Sequence, residues 1–167
     1  MTIEGHGDIA SVLTEKDRTD RIYFASGVSN SQETRESEFQ REKDLLLQQD
    51  RTKRLVYFGS LSIFYNDNRY ARHKREMEGL VMQKFPKYTI VRLGNITWGT
   101  NPHTLINYLR NQVAKGKPVE LRDETRYVAE KEEFLHWIDL IPDEFNCEMN
   151  VTGQPMKVTE IFKKYVI

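Results

Sequence analysis

The sequence lacks the features that mark several large classes of protein. It has one cysteine, Cys147, so no internal disulfide can form, a composition that fits a reducing compartment. It has no surplus of positive charge: 25 basic residues stand against 25 acidic ones, interleaved as in Arg41-Glu42-Lys43-Asp44. Neutralising phosphates needs a basic excess or stripe, so the balance argues against nucleic acid as a partner. The longest uncharged stretch, Leu93 to Leu109, holds Asn, Thr, His, Gly and Pro and cannot span a bilayer. The opening Met1-Thr2-Ile3-Glu4 leads into no basic-then-apolar run, which predicts no signal peptide and a cytoplasmic location. The four histidines (His6, His73, His103, His136) are scattered, with no cysteine or carboxylate spacing suited to zinc, so no metal is expected. There is no Gly-x-Ser-x-Gly elbow and no Gly-x-x-x-x-Gly-Lys-Ser/Thr phosphate loop.

What is present predicts a folded chain. The 167 residues suit one domain, and eight Tyr, eight Phe and two Trp are more than a disordered chain carries. Short apolar runs at 22–26, 54–60, 88–93 and 148–152 predict strands. The middle runs are rich in β-branched and aromatic residues without clean alternation, the pattern of strands buried on both faces. Helical spacing of apolar residues marks 36–49, 69–84 and 103–115, with shorter amphipathic stretches at 130–140 and 157–165. Ser37 or Thr34 is expected to cap the first of these, and Pro102 and Gly116 bracket the third. Alternation of strand and helix implies an α/β fold: βαβ crossovers, a parallel sheet and helices on both faces. Ligands of such sheets bind at the carboxyl ends of the strands, so the segments just after each strand matter most.

Three such segments carry candidate chemistry. Gly5-His6-Gly7-Asp8-Ile9-Ala10 is a Gly-x-Gly-x-x-Ala turn before a helix, able to pass a pyrophosphate close to backbone; the alternative is an ordinary N-terminal turn. Asp8 would set negative charge beside such phosphates. Ala25-Ser26-Gly27 follows a strand with small residues against which a flat ring can lie, or is simply a loop. The third is the most specific. A strand ends in Ser60, Ser62 follows, and Tyr70 and Lys74 open the next helix four residues apart. That spacing sets phenol and ammonium on one face, roughly 5–6 Å apart at Cβ. A phenol titrates near ~10 in water, and a neighbouring cation favours its ionised form. Such a Tyr can exchange a proton with an alcohol or carbonyl, with Ser60 holding the same oxygen. The alternative is a part-buried Tyr beside a solvated Lys.

In this setting Ser60, Tyr70 and Lys74 resemble the catalytic Ser/Thr, Tyr and Lys of the short-chain dehydrogenase/reductase superfamily. The closer resemblance is to its extended NAD-dependent epimerase/dehydratase family acting on nucleotide sugars. Phe58-Gly59-Ser60-Leu61-Ser62-Ile63-Phe64 is similar to that family's Ser-Ser/Thr-x-x-Val-Tyr segment. Arg92-Leu93-Gly94-Asn95-Ile96-Thr97-Trp98-Gly99 resembles its Arg-x-x-Asn-x-x-Gly, and Thr125-Arg126-Tyr127-Val128 its Arg-Asp-Phe-Ile strand. The resemblance implies a Rossmann-like, doubly wound parallel sheet over 1–167, with a small helical cap from about 100. It implies NAD or NADP as cofactor, with Gly5, Gly7 and Ala10 at the pyrophosphate, Ala25 and Gly27 at the adenosine side, and Lys74 and Asn95 at the nicotinamide. It further implies a nucleotide-sugar substrate contacted by Ser62, Asn95 and Arg126, and a homodimer through helices 36–49 and 69–84. Leu45, Leu46 and Leu47 exceed what one core-facing stripe needs, in keeping with that pairing. The sequence also departs from the family. Only residues 11–21 separate the glycine turn from the strand at 22, where relatives have two further strands, so the fold is expected in shortened form. A non-catalytic dinucleotide-binding or partner subunit on the same fold is the alternative function, and an interaction scaffold is a third.

Overall fold

The computed structural model describes residues 2–167. In chain order the elements are β1 (Ile3–Glu4), α1 (Asp8–Val12), β2 (Arg21–Phe24), α2 (Glu36–Leu47), β3 (Arg54–Ser60), α3 (Arg69–Lys84), β4 (Tyr88–Leu93), β5 (Asn95–Ile96), α4 (Leu105–Ala114), β6 (Thr125–Ala129), α5 (Lys131–Asp139), β7 (Cys147–Val151), β8 (Gln154–Lys157) and α6 (Val158–Tyr165). Short 3₁₀ turns follow α1 (Thr14–Lys16) and β3 (Leu61–Phe64).

Five strands form one sheet in the order β1-β2-β3-β4-β7, every neighbouring pair parallel. Side chains of successive strand residues go to opposite faces, and both faces here are apolar. Leu55 and Tyr57 of β3 join Ile22, Phe24 and Ile90 under Leu46 of α2 and Met77 and Val81 of α3. Val56 and Phe58 join Tyr23, Val91 and Leu93 under Leu13, and under Phe134 and Ile138 of α5. Burial on both faces is why the strand sequences do not alternate. The fold is therefore a parallel α/β sheet with helices on both faces.

β1, β2 and β3 step across the sheet in one direction, yet α1 packs on the face of α5 while α2 packs on the other. The two crossovers consequently have opposite hands, although such connections are right-handed in about 98% of cases. In a complete two-half sheet the strands after the glycine turn lie beyond the first strand, and the chain changes face as it returns. Here, among the described residues, β1 is an edge strand and the chain passes through a five-residue helix straight into β2.

Two expectations change. Neither Ser37 nor Thr34 caps α2: Arg35 holds the N-cap position without a side-chain bond, and Ser37 lies inside the helix. Just before the helix, the Glu33 carboxylate accepts from the backbone N–H groups of Thr34 and Arg35. The region from about 100, expected to be a helical cap with a strand at 148–152, contains that strand as β7 and also β6 and β8. β7 extends the main sheet, and β6 pairs with β5 in parallel and with β8 antiparallel in a second, three-stranded sheet. α4 and α6 pack on that second sheet through Ile106, Ile161 and Val128.

Candidate active site

Ser60 ends β3 at the carboxyl edge of the main sheet. Its Oγ lies 2.8 Å from the Ser62 Oγ and accepts from the Ser62 N–H at 3.1 Å, which folds the next residues into a 3₁₀ turn. α3 then starts at Asn68, whose side chain accepts from the Ala71 N–H. Tyr70, in the first turn, is buried against Val28 and Phe39. Lys74 follows one turn later, with its Nζ 5.6 Å from the Tyr70 ring centroid. The face that carries both residues also carries Met77 and Val81, so the helix's core packing fixes their direction.

Lys74 is only 2% exposed, and its ammonium is not free. It donates to the Glu42 Oε1 at 2.8 Å and lies 3.4 Å from the Tyr57 hydroxyl. Glu42, on α2, also accepts from the Tyr57 hydroxyl at 3.3 Å, the Val28 N–H at 3.2 Å and the His73 Nε2. A carboxylate only accepts, so the His73 Nε2 facing it is the donor, and the His73 Nδ1 is buried without a partner. Burial by itself would push the Glu42 carboxyl up, but the Lys74 ammonium and the His73 imidazole outweigh it and hold it well below the usual range. Burial would likewise pull Lys74 down; the Glu42 carboxylate outweighs it and holds the ammonium above its ordinary value. Burial, then Glu42, raise the Tyr57 phenol well above the usual range.

The glycine turn meets the second small-residue segment. Gly5 has φ +126°, and a Cβ there would stand 2.5 Å from the Ala25 carbonyl oxygen. A Cβ on Gly27 would collide with the Glu42 Oε1 and fall 2.8 Å from the Lys74 Nζ. Gly5 is therefore required by the backbone, while a side chain at Gly27 would displace the Glu42–Lys74 ion pair. Gly7 precedes α1 with open space where a Cβ would be, and Ala10 is buried. The Asp8 carboxylate turns away from this turn and accepts from the Thr100 and Asn101 N–H groups, each at 2.9 Å. The Trp98 indole donates to the Asp8 carbonyl at 3.0 Å.

Gly5, Gly7, Ala25, Gly27, Ser60, Ser62 and Asn95 thus all lie past the carboxyl ends of β1 to β4, with Tyr70 and Lys74 beside them on α3. The Asn95 amide is engaged, donating to the Tyr127 carbonyl at 3.2 Å. Arg126 stands on the second sheet in an ion pair with Glu124. Sequence reading missed Glu42 and Tyr57, and assigned no part to His73. At the end where a nicotinamide would lie, the Ser60 and Ser62 hydroxyls end β3 and the Tyr70 phenol opens α3, while the Lys74 ammonium is buried on Glu42. The pyrophosphate end offers only the short turn before α1.

Among the described residues no group of three or more His, Cys, Asp or Glu is placed to hold a metal, and no helix is long and apolar enough to cross a membrane. No protein-family model matches the sequence, and no curated protein matches it. Solved structures do resemble the fold. The Bordetella bronchiseptica enzyme WbmG in complex with NAD and UDP superposes with a TM-score of 0.70 at 15% identity, over 86% of this chain and 54% of that one. WbmH of the same organism, in complex with NAD+, gives 0.67 at 13% over 86% and 56%. The Thermus thermophilus UDP-glucose 4-epimerase complex with NAD gives 0.61 at 16% over 89% and 61%. The chain spans about half the length of these proteins. At such identities the likeness establishes the fold.

Proposed function

We propose that the chain is an NAD(P)-dependent enzyme of the short-chain dehydrogenase/reductase type, acting on a nucleotide sugar or related sugar by epimerisation, dehydration or ketone reduction. The observation that carries this reading is the Tyr70 ring set beside the Lys74 ammonium on α3, next to the serine-bearing end of β3. A bound dinucleotide would supply the hydride exchange. Tyr70 would move a proton at the substrate oxygen, and Ser60, with Ser62, would orient that oxygen. Lys74 would meet the nicotinamide ribose and favour the ionised Tyr70, while Asn95 and Arg126 would flank the substrate. Gly5, Gly7 and Ala10 would border the pyrophosphate, and Ala25 and Gly27 the adenosine side. The NAD and UDP complexes of WbmG and the 4-epimerase with its NAD support the cofactor and substrate class.

Calorimetric titration with NAD⁺, NADH, NADP⁺ and NADPH, beside a Lys74→Met variant, tests the cofactor. Binding is expected, weaker in the variant. Turnover of nucleotide sugars is expected to vanish in Tyr70→Phe while dinucleotide affinity stays nearly unchanged; equal turnover in that variant overturns the role of Tyr70. The abbreviated glycine half, with its five-residue α1 and edge strand β1, favours a second reading: a dinucleotide-binding or partner subunit without catalysis. Dinucleotide binding with no turnover of any sugar would select it.

A further inference from the structure

Glu42 stands out in the interior. It belongs to a helix whose other charges face solvent, yet it is fully buried and its carboxylate gathers donors from three directions. Lys74 and His73 reach it from α3, the Tyr57 hydroxyl from β3, and the Val28 N–H from the turn after β2. Buried carboxylates are costly unless so satisfied. The core itself does not require one here: Leu46, one turn further along α2, meets the sheet face and α3 with apolar groups, while Phe39, one turn before, packs on Val28 and Tyr70 and against the His73 ring. What the carboxylate touches is the ammonium beside Tyr70 and the turn that carries Gly27.

We propose that Glu42 is a positioning residue of the candidate site, holding the Lys74 ammonium in one place beside Tyr70 and fastening the Gly27–Val28 turn over it. A lysine ammonium on its four-carbon stem has many rotamers. Bonded to Glu42 and against Tyr57, it keeps one, 5.6 Å from the Tyr70 ring centroid. The Gly27 Cα is brought so close that no side chain fits between it and the ion pair. The turn and the lysine therefore form one unit, with the ammonium held in one orientation beneath Gly27. The titratable and charged groups around Lys74 come from three elements: Glu42 and Arg41 on α2, Tyr57 on β3, and Tyr70 and His73 on α3. The use of the oriented ammonium by a nicotinamide ribose rests on the function proposed above; the holding of Lys74 does not.

The test uses the whole chain with ¹³C-labelled lysine, as wild type, Glu42→Gln, Lys74→Met and the double variant. Glu42→Gln keeps the shape and removes the charge. In the free protein, the Lys74 side-chain resonance is expected to titrate above an ordinary lysine in wild type and below it in Glu42→Gln, because burial then acts without its counter-charge. An unchanged Lys74 titration overturns the proposal. In the second arm, NADH affinity by calorimetry is expected to fall roughly tenfold in Glu42→Gln, the scale of one misplaced charge-assisted hydrogen bond. In the Lys74→Met background the same change is expected to do nothing. An equal loss in both backgrounds means Glu42 acts through general stability, and the proposal falls. A shifted Lys74 titration in a protein that binds none of the four dinucleotides upholds the holding of Lys74 and removes the dinucleotide reading instead. Should Glu42→Gln not fold, Glu42→Asp, which keeps the charge but withdraws it by one methylene, is expected to give a smaller shift of the same sign; no shift in that variant overturns the proposal.

Discussion

At the scale of single residues, the burial of a carboxylate and an ammonium together makes stability depend on pH at both ends. The Glu42 carboxyl is held below the usual range by Lys74 and His73. Its contribution is therefore complete above its unfolded value, about 4.3, and is lost as pH falls through the lower folded value. Lys74 is held above its ordinary value by Glu42, so its contribution is complete below about 10.4 and is lost as pH rises through the folded value. Urea midpoints followed downward from pH 7 are expected to fall below about pH 4, and to fall less steeply in Glu42→Gln, which has no carboxylate to protonate. Equal slopes would mean that other carboxylates carry the acid limb. The pairing of Tyr70 with Lys74 was legible because spacing of four on a helix fixes a shared face. Glu42 was hidden among Gln40, Arg41, Lys43 and Asp44, which read as a solvated surface. A signal did exist: Glu42 sits three residues after Phe39 and four before Leu46, on the buried stripe. His73 gave the same signal, three after Tyr70 and four before Met77.

At the scale of elements, the five-residue α1 packs on the core through Ile9, Ala10 and Val12, and Asp8 ties its first turn to a distant loop. Its carboxylate accepts from two successive backbone N–H groups of the loop after β5, where Gly99 at φ +93° lets the chain turn towards it. Backbone amides arranged this way form a small anion-binding concavity, here filled by a side chain of the same protein. Asp8→Ala would leave two amides without their acceptor, while the Trp98 indole keeps its bond to the backbone carbonyl of residue 8. A loss of about 1–3 kcal/mol is expected from urea denaturation, with faster amide exchange at Thr100 and Asn101 than elsewhere in the chain. Protection at those amides unchanged from wild type would show that another acceptor replaces Asp8. A contact across 92 residues leaves no mark in local sequence. β8 was missed for another reason: Gln154-Pro155-Met156-Lys157 has weak strand preference and forms an edge, where Pro is tolerated. The central strands β3 and β4 were legible because apolar side chains on both faces leave no other compact arrangement.

At the scale of the whole molecule, the sheet's missing half and the two helices α2 and α3 bear on how the chain associates. α2 and α3 lie side by side on one face, and the groove between them is lined by Gln40, Lys43, Leu47, Glu76, Leu80 and Gln83. Of the three leucines at the end of α2, Leu46 enters the core, Leu45 packs at its margin, and Leu47 is exposed together with Met82 of α3. The surplus read from the sequence is therefore one leucine, flanked by the Lys43–Glu76 ion pair at 2.9 Å. A surface with this little apolar area favours a weak pairing of two copies over an obligate one, since obligate interfaces are larger and more hydrophobic. We propose that two copies pair through α2 and α3, and that sedimentation at increasing concentration will show a shift from one copy to two. Leu47→Lys would put an ammonium beside Lys43 and its copy across the axis, and is expected to abolish the shift without changing the thermal midpoint at low concentration. Wild type sedimenting as a single copy throughout the micromolar range would remove the pairing, and would leave the candidate site to be completed within one chain.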